Sequence, residues 1–408
     1  MPKRDRYIVG LDIGTSKVCM LVAEVRDDGA IDIIGMGSCE SKGLRKGVII
    51  SVDPIVECIK KVVEEAELMS GINIEESFVG ISGEHIMGSN SRGMVSINSK
   101  DHVISREDIS RVIEAARQIP IPTDKDVLHV LPQEFMVDGQ GEIGDPMGMT
   151  ANRLEVNVHV VTCGTTQLQT LLTCVNRAGI EVVDTVLEQL ASSESVLTAD
   201  EKDLGVALVD IGGGTTDLAI FEKQSLWHTY IRSIGGDHFT SDISVGLRTP
   251  IPEAEKIKKR YGCALSSLIE EDEIIEVPSI GGRKPRCIQR QVLCEIIQPR
   301  AEELFGIMRE EIERMGLTRS LNGVVLTGGG ALLEGMVEIA ERIFDLPVRI
   351  GKPTGVGGLI DVINSPVYST AVGLIIYGYR TREATGTRLS TSRRRPLWRL
   401  KDWFGEMF

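Results

Sequence analysis

The sequence predicts an α/β protein of two similar lobes carrying a small α+β insertion, and three glycine-centred stretches predict it. In the first, Ile8-Val9-Gly10-Leu11-Asp12-Ile13-Gly14-Thr15-Ser16-Lys17-Val18, an apolar strand passes through Asp12, turns, and leaves as a second apolar strand. In the second, an apolar run into Asp210 continues as Ile211-Gly212-Gly213-Gly214-Thr215-Thr216-Asp217 and a further apolar strand. The two Asp-Ile-Gly cores begin at 12 and 210, which is 198 positions apart in a chain of 408 residues. Glycine lets a backbone approach a ligand closely because no Cβ intrudes, and consecutive N–H groups in such a turn form a concavity for anions. A repeat at half-chain distance predicts two lobes, each presenting a phosphate-gripping hairpin to a shared cleft. Ordinary tight hairpins use the same residue types. The third stretch favours the nucleotide reading: Val324-Val325-Leu326-Thr327 delivers Gly328, Gly329 and Gly330 to a predicted helix N-terminus, where free N–H groups point outward.

Composition narrows the class. A chain of 408 residues supports two to four domains and a sizeable core. A net charge of −14 argues against a nucleic-acid surface on the body. From Arg380 onward eight Lys/Arg stand against three Asp/Glu, a net of +5 that leaves −19 on residues 1–379, so the tail is expected to have its own partner. The eight cysteines are scattered without a C-x-x-C pair and read as small core residues of a protein in a reducing compartment. No run approaches the roughly 18 apolar residues of a spanning helix, and the basic N-terminus leads directly into a strand. The chain therefore reads as soluble or peripheral.

Taken in order, residues 30–35 predict a third antiparallel strand, and Gly47-Val48-Ile49-Ile50 leads to a helix over 55–69 with Asp53 at the N-cap, Pro54 at N1 and Gly71 as its stop. Residues 78–82 read as a strand. Residues 84–162 read as the insertion, with a capped helix from Ser105 and alternating strands that hold His129 and His159 in structural roles. A helix over 166–178, a strand from Val182 and a helix from Glu188 lead to the second hairpin. Helices then begin at Asp237 and Pro252, residues 265–295 alternate between short strands and loops, and a long helix covers 296–315. A buried helix following Ser365 closes the second lobe.

The three glycine stretches resemble the actin, Hsp70 and sugar-kinase superfamily. Within it, His129-Val-Leu-Pro-Gln-Glu-Phe-Met-Val-Asp-Gly, Asp145-Pro-Met-Gly-Met, Leu154-Glu-Val and His159-Val-Val-Thr resemble the bacterial FtsA cell-division family, as do Asn90-Ser-Arg-Gly and Ala254-Glu-Lys-Ile-Lys. The resemblance implies an actin-like two-lobed ATPase fold whose insertion replaces actin's outer subdomain of the first lobe. It implies subdomains at 1–83 with 163–195, at 84–162, at 196–240 with 301–380, and at 241–300. It also implies ATP and Mg²⁺ as ligands. Gly14, Thr15, Ser16 and Lys17 would hold phosphate from the first lobe, and Gly212, Gly213, Gly214, Thr215 and Thr216 from the second. Asp12 and Asp210 would orient the metal through water, Glu255 and Lys258 would meet ribose and purine, and Gly328, Gly329 and Gly330 would form the adenosine loop. Glu255 and Lys258 read on their own as an ordinary surface ion pair.

The family's partners follow by the same resemblance: the C-terminal tail of the tubulin-like FtsZ at Arg300 and Glu303, further copies of the chain in filaments, and later division proteins at the insertion. Glu188 stands where some bacterial actins carry their water-aligning residue, but Gln189 follows it instead of proline. Tight ATP binding with slow or absent hydrolysis is the expectation.

Residues 381–395 read as a flexible linker rich in Arg, Ser, Thr and Gly. Beyond it, Leu397, Leu400, Trp403, Phe404, Met407 and Phe408 fall within a helical arc of about 140°. Arg399 lies opposite and Trp398 off the arc. Two of the three tryptophans of the chain sit in its last eleven residues, which a solvated terminus does not explain. Residues 396–408 thus predict an amphipathic helix on anionic lipid, placing the protein peripherally on the cytoplasmic face of the membrane at the division site. Two rivals stay open: an ATP-dependent small-metabolite kinase, and an actin-like adaptor of a pilus or secretion machine.

Overall fold

The computed structural model describes residues 6–270, 272–279, 284–318 and 320–384. Of the linker expected over 381–395, residues 381–384 are instead helical; its remainder and the expected tail helix, with Leu397, Trp398, Arg399, Leu400, Trp403, Phe404, Met407 and Phe408, lie outside the described residues. Among those described, no helix is long and apolar enough to cross a membrane.

The first lobe opens with β1 (Tyr7–Ile13), β2 (Lys17–Val25) and β3 (Ile31–Glu40), a meander in which consecutive strands pair antiparallel. A short hairpin of β4 (Leu44–Arg45) and β5 (Val48–Ile49) leads to α1 (Val52–Ser70) and β6 (Glu76–Ile81). The α1 helix starts earlier than its sequence signals suggest. Ser51 is its N-cap, so Pro54 occupies the third helical position, where its missing N–H is still one of the groups without a helical partner. Gly71 stops it in the left-handed conformation, as expected. The buried face of α1 (Ile55, Ile59, Val62 and Ala66 among others) lies on β3 so closely that a Cβ on Gly37 would stand 1.9 Å from the Val62 carbonyl oxygen.

The insertion comprises β7 (Met87–Ser96), α2 (Arg106–Arg117), β8 (Lys125–Val137), β9 (Gln140–Ile143) and β10 (Arg153–Gly164). Its sheet order is β7-β10-β8-β9, with α2 packed on it over a separate apolar core. Ser105 caps α2 through a reciprocal capping box with Asp108. Both histidines are structural: His129 Nε2 accepts from the Leu187 N–H, and buried His159 bridges Asn90 and Thr229.

The chain returns through α3 (Thr165–Arg177), β11 (Glu181–Leu187) and α4 (Glu188–Val196), completing a first-lobe sheet of order β11-β6-β1-β2-β3. The second lobe contains α5 (Ala199–Leu204), β12 (Val206–Ile211), β13 (Thr216–Glu222), β14 (Ser225–Arg232), α6 (Gly236–Leu247) and α7 (Ile251–Tyr261). It continues through the hairpin β15 (Ile274–Val277) and β16 (Arg286–Gln289), then α8 (Arg290–Arg314), β17 (Val324–Thr327), α9 (Met336–Phe344) and β18 (Val348–Ile350). Helix α8 begins six residues before the predicted 296 and runs unbroken through Pro299. Last come β19 (Gly357–Gly358), added to β3 at the edge of the first sheet, α10 (Ile360–Ile363) and α11 (Ser369–Ala384). The second-lobe sheet runs β18-β17-β12-β13-β14, the strand order of the first lobe repeated, with two parallel neighbours and then a meander. The half-chain repeat is therefore a repeat of topology.

Helix α11 lies on the first-lobe sheet, with Ala371, Leu374 and Ile375 in one buried cluster with Ile8, Leu21 and Phe78, so it completes the first lobe and not, as expected, the second. Helices α4 and α11 also meet. They pack so tightly that a Cβ on Gly373 would lie 1.8 Å from the Ala191 carbonyl oxygen. All eight cysteines are free, and of these only Cys287 is exposed.

Candidate functional site

The two hairpins are congruent. In the first, Ile13 pairs with Val18 and the Gly14 N–H donates to Lys17 O at 2.9 Å. In the second, Ile211 pairs with Thr216 and the Gly212 N–H donates to Thr215 O at 2.9 Å. The same four-residue turn is thus repeated 198 positions on. The tips meet: a Cβ on Gly213 would stand 1.9 Å from Ser16 Oγ, and one on Gly214 would stand 2.5 Å from Thr15 Oγ1. Glycine is required at both positions by this close approach.

Behind the tips the structure gathers four carboxyls, three of them buried and that of Glu188 half-buried. Asp12 and Asp210 end the inbound strands, Asp217 lies directly across from Asp210, and Glu188 opens α4. Asp12, Asp210 and Asp217 are 7, 9 and 3% exposed, so each loses most of its hydration. Burial pushes Asp12 up, with Lys17 opposing. Burial carries Asp210 to about 6 against hydrogen bonds from Ser192 and Thr370. Burial likewise carries Asp217 to about 8, against the Ser82 hydroxyl that donates to its Oδ2 at 2.7 Å. Glu188 is raised well above the usual range by burial and by the three aspartates. Among the described residues Asp217 Oδ1 has no hydrogen-bond partner. Lys17 is the nearby cation: its Nζ lies 4.0 Å from Asp12, donates to Val367 O at 2.7 Å and sits over the Tyr368 ring.

This surplus of buried negative charge and the orphaned Asp217 oxygen fit a divalent cation. Among the described residues no three His, Cys, Asp or Glu side chains converge as direct metal ligands, so such an ion would be held through water. A cavity of about 120 Å³, lined by Ile13, Gly80, Ser82, His85, Gln167 and Glu188 among others, adjoins the Glu188 carboxyl and is large enough for water.

Gly328 follows Thr327, which pairs in parallel with Asp210. Its φ is +80°, and a Cβ there would stand 2.3 Å from Asp210 Oδ1. A Cβ on Gly330 would stand 2.3 Å from Ile211 Cγ2, whereas one on Gly329 would meet only Val367 Cγ2, at an ordinary 3.8 Å. The predicted helix N-terminus at this point is instead a short 3-10 turn over residues 329–332, and α9 begins only at Met336. Lys258 and Glu255 form a half-buried ion pair of 2.6 Å. Lys258 also donates to Gly236 O and Thr240 Oγ1, at the start of α6 beside the second hairpin. Burial pushes the Glu255 carboxyl up, but hydrogen bonds from Lys258 and Thr240 carry it below the usual range.

Arg300 and Glu303 lie elsewhere, on α8, paired with each other, and Arg300 also grips Asp242 of α6 through two nitrogens at 2.7 and 3.1 Å. The structure therefore brings Asp12, the glycine turns, Asp210, Glu188, Glu255, Lys258 and residues 328–330 around one cleft. Sequence reasoning missed Asp217, Ser82, Ser192 and Thr370. Asp217 was findable, because it follows the second turn in register with Asp210; the position 198 earlier is Cys19, so the repeat conceals it.

Comparison with known proteins bears on the family and the fold. Residues 207–373 match the family profile described as "Cell division protein FtsA", and residues 83–162 match "SHS2 domain inserted in FTSA". A cell division protein FtsA of Pseudomonas aeruginosa is 49% identical over 388 residues, covering 95% of this chain and 92% of the relative. Among solved structures, a PilM–PilN type IV pilus biogenesis complex matches with a TM-score of 0.67 at 17% identity, over 91% of this chain and 98% of that one. MreB5 of Spiroplasma citri bound to ADP matches with a TM-score of 0.53 at 16% identity, over 93% and 97%. At such identities these two likenesses are of fold alone, and the fold is that of the actin-like ATPases.

Proposed function

The chain belongs to the FtsA family of cell division proteins, and from that premise we propose that it binds ATP with Mg²⁺ between its lobes. On this reading it also polymerises and tethers the tubulin-like FtsZ to the cytoplasmic face of the membrane through residues 396–408. The observation that carries the nucleotide reading is the pair of congruent glycine turns meeting over three buried aspartates and the half-buried Glu188. Ser16 lies against Gly213, so the polyphosphate would run beside that contact, with the turn N–H groups of both hairpins as donors. Bound Mg²⁺ supplies positive charge that offsets the carboxyls and the phosphates. Asp12 and Asp210 would hold its water shell, and Ser192 and Thr370 orient Asp210. Glu255 and Lys258 with residues 328–330 would flank the nucleoside.

Burial first, and then the three neighbouring aspartates, raise Glu188 well above the usual carboxylate range and so disfavour the anion that would accept a proton, which supports slow turnover. Arg300 and Glu303 remain the proposed contacts for the FtsZ tail, and the insertion the proposed surface for later division proteins. The kinase and pilus-adaptor readings fall with family membership, the pilus likeness being one of fold at 17% identity.

One tail helix adds about 1 kcal/mol per basic residue near an anionic surface. Weak single anchors would then bind by avidity in a polymer. The test is co-sedimentation of the full chain with anionic liposomes, with and without Mg-ATP and the FtsZ tail peptide, beside a chain lacking residues 396–408. Loss of sedimentation on truncation, and a gain with Mg-ATP, are expected. Equal pelleting of both chains would reject the tether.

A further inference from the structure

Between β3 and α1 the chain makes a short excursion, Ser41-Lys42-Gly43-Leu44-Arg45-Lys46-Gly47-Val48-Ile49-Ile50-Ser51, with three cations and no acid. Leu44 pairs with Ile49 and Arg45 with Val48, so Lys46 and Gly47 form a two-residue turn. Their φ values are +52° and +73°. Both central positions of such a turn favour Gly, Asn or Asp, and lysine at the first is costly for the backbone. Non-glycine residues held in this region concentrate at ligand clamps.

The turn is wedged across both glycine hairpins. The Gly47 N–H donates to Thr15 Oγ1 at 3.3 Å, and a Cβ on Gly47 would stand 2.9 Å from Gly83 Cα and 3.2 Å from Thr215 Cγ2. A Cβ on Gly214 would stand 3.0 Å from Lys46 Cα. Lys46 is exposed and makes no hydrogen bond or ion pair among the described residues. Its charge nevertheless reaches the second lobe, where burial first and Lys46 next hold His238 below its ordinary value. Lys17, the other cation of the cleft, is already committed to Val367 and Asp12. A lysine on a four-carbon stem at this place has an anionic ligand as its natural counterpart.

We infer that Lys46 holds the outermost phosphate of a nucleoside triphosphate, reaching from the first lobe onto the second-lobe hairpin, so that this turn distinguishes tri- from diphosphate. The inference rests on the nucleotide reading above. Binding of ATP and ADP with Mg²⁺ is measured on the full chain and on Lys46→Asn, which removes the charge but tolerates the left-handed backbone. Lys46→Arg and Lys42→Asn are measured alongside, with thermal melting of each. Lys46→Asn is expected to weaken ATP about ten- to a hundredfold while ADP stays within about twofold. Lys46→Arg and Lys42→Asn should keep the preference for ATP. Unchanged ATP binding in a folded Lys46→Asn, or equal loss for ATP and ADP, overturns the assignment alone. Failure of the unaltered chain to bind either nucleotide overturns the nucleotide reading and this inference with it.

Discussion

Replacing Gly213 by alanine tests the meeting of the two turns directly. The new Cβ would stand 1.9 Å from Ser16 Oγ, 3.1 Å from Ser16 Cβ and 3.3 Å from Ser16 N. The hydroxyl can rotate away, but the Ser16 Cβ and backbone nitrogen cannot. The tips must part by about a few tenths of an ångström to restore ordinary contact. Gly213 is not among the glycines with positive φ, so alanine costs nothing through its own dihedrals and the penalty is steric. A displacement near 1 Å in a preorganised site costs about a hundredfold, so one of a few tenths of an ångström costs less, at most about tenfold or about 1.4 kcal/mol. Gly213→Ala is therefore expected to weaken Mg-ATP by about two- to tenfold in titrations with a fluorescent analogue. The unfolding midpoint in urea should move little, because the contact lies between lobes and not within a core. Adding Ser16→Gly removes both obstructing side-chain atoms, so Gly213→Ala should cost less in a Ser16→Gly background than in the unaltered chain, whatever Ser16 itself contributes to holding phosphate. Wild-type binding by Gly213→Ala, or an equal loss from Gly213→Ala with and without Ser16→Gly, would refute the tip-to-tip geometry.

Three further outcomes follow from the same coordinates. Folding raises Asp210 to about 6 and Asp217 to about 8 from an ordinary 3.8, so the folded state holds extra protons. Their favourable contribution is complete below the unfolded value and is lost as pH rises through the folded ones. Without nucleotide or Mg²⁺, melting should fall between pH 4 and pH 8, and Asp217→Asn should raise it at pH 8 but not at pH 4; a pH-independent difference would count against the burial argument. Gly37→Ala forces a Cβ to 1.9 Å from the Val62 carbonyl beneath α1 and should cost about 2–3 kcal/mol in urea unfolding; a change within about 0.5 kcal/mol would mean that α1 can slide on the sheet. Single-turnover phosphate release should be slow and close to that of Glu188→Ala, and brisk release by the unaltered chain would show Glu188 acting as a competent base.

Much of the architecture was legible because it is written locally. The Asp-Ile-Gly cores announced two lobes, and the 198-residue offset holds down to the hydrogen bond that closes each turn. Ser105 and Asp108 announced α2 through a reciprocal cap, and Gly71 announced the end of α1. Boundaries set by packing were less legible. Helix α8 begins at Arg290 because Leu293, Cys294 and Ile297 are fully buried in the second-lobe core, overriding the loop-like composition before them. The glycines at 328–330 do not open an α-helix, because their close approach to Asp210 and Ile211 holds them in a 3-10 turn.

The sequence by itself determined the elements that depend on neighbours a few residues apart: the glycine turns, the caps and the meander strands. It also identified most residues of the cleft, since glycine, threonine and aspartate are needed there for reasons of shape and charge that each residue carries alone. Only the tertiary structure decided that carboxyls from positions 12, 188, 210 and 217 share one desolvated space, and that Lys46 rides over the second-lobe hairpin. Ionisation and close approach depend on distances between segments far apart in the chain, and no local pattern encodes a distance.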